Sequence, residues 1–165
     1  MRRILVISIM LMLLLCSCTK TYNGHDGLVE KAREEISLED IENVEIMIAG
    51  SIDIDNRSLV WFVTGNEYQA HSYFPMEFEV SEKDPSQFKF VKAYKAYERG
   101  LDVWVYPWEG YTFLINNPKC EKLLLDFGDG TSEEIVIDSS MLPQIYYTEK
   151  EPKEYTFVDA DGKEI

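Results

Sequence analysis

A nucleophile in a hydrolase needs a base beside it, and only two histidines could titrate near neutrality without help. His25 stands in Tyr-Asn-Gly-His-Asp and His71 in Gln-Ala-His-Ser-Tyr, and neither sits in a Gly-x-Ser-x-Gly or Cys–His setting. Zinc would need three or four His or Cys ligands, and the domain after the leader and tether offers too few. Asp53, Asp55 and Asn56, and again Asp159, Asp161 and Gly162, invite a calcium reading. An EF-hand loop, however, runs on to Gly at its sixth position and Glu at its twelfth, and neither cluster does. Both read better as hairpin turns. With 30 acidic residues, close carboxylate pairs of the kind used in glycoside hydrolysis arise by chance. No catalytic residue, metal site or cofactor is expected.

The residues with most to offer a ligand are aromatic. Trp104, Tyr106 and Trp108 recur at period two, so they share one face of any strand that carries them, with Val103 and Val105 on the other. If the valines point inward, three rings face outward as a platform for a sugar or a protein partner. If both faces are covered, the same rings belong to the core.

The elements that would position these residues are mostly strands. Asp26 is placed to cap a helix over about Leu28 to Ile36, and Ser37-Leu-Glu-Asp40 reads as a capping box opening a further turn. From Val44 the period changes to two, with Val44, Ile46, Ile48, Ile52 and Ile54 on one face and a bend at Gly50. Leu59–Thr64 is apolar on both faces. Further strands are expected near Tyr68–Val80, Phe88–Ala93, Asp102–Tyr106, Tyr111–Asn116, Lys122–Phe127, Glu134–Asp138, Gln144–Thr148 and Tyr155–Val158. Turn residues punctuate them at regular intervals. The fold class expected is mainly β, an antiparallel β-sandwich or small barrel, with an Ig-like arrangement among the options and one N-terminal helix.

The first residues read MRRILVISIMLMLLLCSC: two arginines, then an apolar run too short to span a membrane, as in a secretory signal peptide. Leu15-Cys16-Ser17-Cys18 resembles the lipobox of bacterial lipoproteins, with Leu three places before the modified cysteine and a small residue just before it. Cys16 is preceded by bulky Leu15, which fits processing poorly, so Cys18 is the acylation site. The resemblance implies diacylglycerol on the Cys18 sulfur, cleavage before it, and a palmitate-type anchor in the cell membrane at its extracytoplasmic face. Two acyl chains hold stably where one holds marginally. The expected division is residues 1–17 signal peptide, 18–27 lipidated polar tether, and 28–165 one β-rich domain. Cys120 would then be the lone remaining thiol, in an Asn-Asn-Pro-Lys-Cys turn.

Asp126-Phe127-Gly128-Asp129-Gly130-Thr131 resembles the signature of polycystic-kidney-disease-type Ig-like repeats, although Ser132-Glu-Glu-Ile135 replaces their usual continuation. More broadly, Tyr111–Cys120 and the closing Tyr155–Ile165 look like small uncharacterised lipoproteins of gut-type Gram-positive bacteria, a resemblance that brings no activity with it. Charge narrows the partners. The chain carries −14 overall; without Arg2 and Arg3 it would hold 14 basic against 30 acidic side chains, a net of −16. That sign excludes nucleic acid and disfavours broad adhesion to anionic lipid. The function expected is a membrane-anchored binding module for a protein, peptide or glycan, not an enzyme. An envelope glycan- or peptide-hydrolase and a structural subunit of an envelope complex stand as alternatives.

Overall fold

A computed structural model describes residues 20–38, 41–65, 72–98 and 103–165. Strand β1 (Thr21–Asn23) leads directly into helix α1 (Gly24–Glu35), and a 3₁₀ turn at Ile41–Asn43 follows. Then come β2 (Ile46–Ile54), β3 (Arg57–Thr64), β4 (Ser72–Val80), β5 (Gln87–Ala93), β6 (Tyr97–Glu98), β7 (Val103–Pro107), β8 (Tyr111–Ile115), β9 (Lys122–Asp126), β10 (Ser132–Val136), β11 (Gln144–Thr148) and β12 (Glu154–Val158).

Every pairing is antiparallel, and the strands form three sheets. The large sheet runs β1-β5-β4-β3-β2, with β6 beside β4; the middle sheet runs β11-β8-β7, and the outer sheet β10-β9-β12. Among the described residues the fold is therefore mainly β with a single α-helix near the N-terminus, as the period-two pattern implies.

Three apolar clusters stack these elements in order. Leu28, Ala32 and Ile36 of α1 pack on Val60, Phe62, Phe74, Met76 and Phe78 of the large sheet. The opposite face of that sheet offers Leu59, Trp61, Val63 and Tyr73 to Tyr106, Trp108 and Leu114 of the middle sheet. The far face of the middle sheet, Phe113 and Ile115, meets Leu123, Leu125 and Phe157 of the outer sheet. Helix, large sheet, middle sheet and outer sheet are thus successive layers, and β3 is apolar on both faces because both are covered.

Three sequence expectations need correction. The polar stretch after residue 18 is not a tether as far as Gly27. Thr21–Asn23 pairs with Gln87–Lys89 of β5, and α1 begins at Gly24, four residues before the expected start. Asn23 occupies the N-cap and its side chain makes no capping bond, while Asp26 lies inside the first turn. The period-two reading missed the small edge strand because three residues are too few to show a period.

The second correction concerns β2. A bulge falls between Ile48 and Gly50, so Ile48 opposes Phe62 while Gly50 opposes Trp61. One extra residue exchanges the faces of the strand. Ile46 and Ile48 pack under the helix, whereas Ile52 and Ile54 pack toward the middle sheet. The five aliphatic residues from Val44 do not share a face. Gly50 also lets the two sheets approach closely, since a Cβ there would lie 2.8 Å from Ile145 Cγ1.

The third correction is the aromatic stripe. Trp104, Tyr106 and Trp108 do lie together on one face of the β7 segment, but that face is turned toward the large sheet. Tyr106 is 8% and Trp108 5% exposed, and Trp104 packs partly buried on the same cluster. Val103 and Val105 pack on the outer-sheet side. The outward platform is therefore withdrawn. Period two shows that residues share a face; it cannot show that the opposite face is also covered. His71 and Cys18 lie outside the described residues.

Candidate functional site

The strongest concentration of chemistry is a buried carboxylate that no motif announces. Glu77 belongs to β4, in Phe74-Pro-Met-Glu77-Phe78. Its neighbours Met76 and Phe78 point under the helix, so alternation sends Glu77 to the other face, between the large and middle sheets. Its side chain is 3% exposed. A carboxylate so buried persists only when its lone pairs are filled.

Four side chains stand around it. Arg57, at the start of β3, donates from Nε at 2.7 Å and from Nη2 to Oε1. The Tyr94 hydroxyl donates to Oε2, and Trp108 Nε1 donates to the same oxygen at a longer 3.4 Å. Lys92 Nζ lies 3.7 Å from Oε2. Arg57 also pairs with Glu109 and stacks its guanidinium 5.4 Å from the centroid of the Trp108 ring. The tight β7–β8 turn places Trp108 and Glu109 there. Trp108 N bonds to the Gly110 carbonyl, Glu109 adopts φ 50°, and the Glu109 carbonyl accepts from the Tyr147 hydroxyl at 2.8 Å.

The electrostatics follow from this packing. Burial pushes the Glu77 carboxyl up, but the donors from Tyr94, Arg57 and Trp108 outweigh it and leave the group below its ordinary value. Tyr94 is held above its usual range by burial and by donating to Glu77, and Tyr106 by burial, with the charges of its neighbours adding to it. A carboxylate held ionised by a guanidinium is a poor general acid, which needs a raised value. Glu77 and Glu109 share one guanidinium.

A second feature is an open groove of about 340 Å³ beside the start of α1. His25, Ser51, Asp53 and Ser86 give it polar walls, and Leu28 and Phe88 apolar ones. Ser58, 1% exposed, lies among its lining residues. The β2 bulge is what turns Ser51 and Asp53 toward this groove, a placement that straight alternation from Ile46 would not give.

The remaining candidates fall into place as turns and core. Asp159 accepts from the backbone N–H groups of Asp161 and Lys163, closing its own turn. Asp126 and Asp129 do the same across the glycine-rich β9–β10 hairpin, where Gly128 and Gly130 have φ of 73° and 89°. Cys120 is fully buried against Leu123 and its neighbours, and burial raises its thiol above the ordinary value. The network at Glu77 was hidden in the sequence because its partners are 17, 20 and 31 residues away. The one legible signal was a charged side chain inside an apolar strand, which Glu77 supplies.

No family model matches this chain, and neither a curated protein nor a solved structure does. Asp126–Thr131, the segment that resembles the polycystic-kidney-disease-type signature, forms the tight turn between β9 and β10.

Proposed function

We propose that this chain is an extracytoplasmic lipoprotein, exported by residues 1–17 and held at a membrane surface by diacylglycerol on Cys18, which serves there as a binding module. The observation that carries the reading is Leu15-Cys16-Ser17-Cys18, following two arginines and an unbroken apolar run. Its elements occur together and in the right order. A protein, peptide or glycan remains the class of ligand.

Two features of the fold favour binding over hydrolysis. The one deeply buried carboxylate among the described residues is surrounded by donors and shares its arginine with Glu109. The groove beside α1 mixes apolar walls with hydroxyls and a carboxylate, as small-ligand sites do, and its volume lies at the lower end of their range. The aromatic stripe no longer contributes to a binding surface, so the groove is where this reading places the ligand.

Partitioning of the full-length protein from an expressing bacterium into a detergent phase tests the anchor. The wild type is expected in the detergent phase and Cys18→Ser in the aqueous phase. Equal partitioning of the two would remove the lipoprotein reading.

A further inference from the structure

The distance between the proposed lipid and the folded body is set by the structure. Only Thr19 separates Cys18 from Lys20, and Lys20 is already part of the domain. Its ammonium lies 3.1 Å from Glu30 and 2.7 Å from Glu34 of α1, and 4.8 Å from the centroid of the Tyr22 ring. From Cys18 to Lys20 the chain reaches at most about 7 Å. A domain tied that closely cannot turn freely above a bilayer, and the edge of the large sheet that carries β1 must lie against it.

The surface at that edge differs from the rest of the molecule. β1 pairs Thr21 with Lys89 and runs antiparallel to β5, so β5 continues past the point where the chain enters from Cys18. Its last residues, Val91, Lys92 and Ala93, are exposed there, and Lys95 follows. Val91 is 47% exposed, and the side chains of Lys89 and Lys92 are 45% and 54% exposed. From Pro85 to Tyr97 the chain holds three lysines and no acidic residue; Lys89 pairs with Glu79 of β4 and Lys92 with Glu77, which leaves Lys95 as the cation of this run without an ion pair among the described residues. The outermost strand of the outer sheet, β10, lies on the far side of the molecule: it packs beneath β11, which meets β2, the opposite edge of the large sheet.

We propose that the β1–β5 edge is the membrane-facing surface, with Val91 and Lys95 set against anionic lipid headgroups. The proposal rests on the lipid-anchor reading and adds an orientation to it. Net charge alone disfavours contact with anionic lipid, but attraction acts over about one Debye length, so the local sign at the contact decides. The short reach from Cys18 carries the orientation, and the exposed Val91 and Lys95 lie on that same edge. The groove beside α1 is then held within a fixed distance of the bilayer.

The test uses the full-length lipidated protein in vesicles containing phosphatidylglycerol, with fluorophores at Val91→Cys or Val136→Cys. Both positions are exposed, at 47% and 69%, while Cys120 is buried and stays unlabelled. A quencher on the lipid headgroups is expected to dim the probe at position 91 severalfold more than the probe at 136. A flexible insert of about ten residues between Lys20 and Thr21 should keep that difference on anionic vesicles and lose it on phosphatidylcholine. Equal quenching at both positions in protein that sediments with vesicles overturns the orientation and leaves the anchor standing. Protein that does not sediment at all overturns both. Loss of the difference on anionic vesicles with the insert overturns the headgroup contact and leaves orientation to the short link alone.

Discussion

On one face of the middle sheet, Tyr106 and Trp108 close over the Glu77 carboxylate with its arginine and tyrosine donors. On the other, Phe113 and Ile115 meet Leu123, Leu125, Ile137 and Phe157, and that cluster contains no charged side chain. The three buried polar atoms without a partner among the described residues, Trp61 Nε1, Trp104 Nε1 and Thr112 Oγ1, all belong to the first interface. Thr112 opposes Tyr106 in the ladder, which puts it on the same face. Two interfaces of one sheet are thus built on different chemistry. The apolar one is held by area and fit, which tolerate small shifts in register. The polar one adds directed bonds that cross between the two sheets, from Trp108 to Glu77 and from Arg57 to Glu109, which admit few relative placements of the sheets.

The largest effect should come from emptying the apolar interface. Phe113 is fully buried and its ring meets Tyr146, Tyr155 and Phe157. Phe113→Ala is expected to cost about 3–5 kcal/mol in denaturant unfolding, with the same loss at every pH. A loss that varied with pH would break the distinction between the two interfaces.

Glu77→Gln should come next, at about 2 kcal/mol, because Arg57, Tyr94 and Trp108 all lose a charged acceptor. Here the pH profile sharpens the comparison. The folded carboxyl lies below its unfolded value, so its contribution is present above the ordinary carboxylate range and fades as pH falls through it and below. The gap between wild type and Glu77→Gln should therefore narrow on acidification.

At the seam of the large and middle sheets, Gly50→Ala would place a Cβ 2.8 Å from Ile145 Cγ1, a clash costing about 1–2 kcal/mol. In an Ile145→Ala background the same change should be close to neutral, and the double-mutant cycle measures the difference. The smallest effect belongs to the surface. Lys122 and Glu134 pair at 2.8 Å with both side chains about half exposed, and Glu134→Ala should shift stability by no more than about 0.5 kcal/mol.

How much of this was readable beforehand follows from the range of each signal. Alternation and turn residues located most of the strands, because those patterns are local: Gln144–Thr148 matches in full and most others fall within two residues. What failed was non-local. The Ala49–Gly50 bulge reverses the faces of β2 through pairing with β3, and the inward turn of Trp108 depends on Glu77, 31 residues away. Edge strand β1 owes its existence to β5, not to its own three residues. The groove beside α1 was out of reach for the same reason, since it needs the bulge to present Asp53.

The lipid proposed on Cys18 governs where this acidic body works, and mass spectrometry of the N-terminal peptide from membrane-extracted protein tests it most directly. The expected species begins at Cys18, carries a diacylglycerol thioether, and lacks residues 1–17. A chain that keeps its leader, or a Cys18 whose thiol still alkylates, would contradict it.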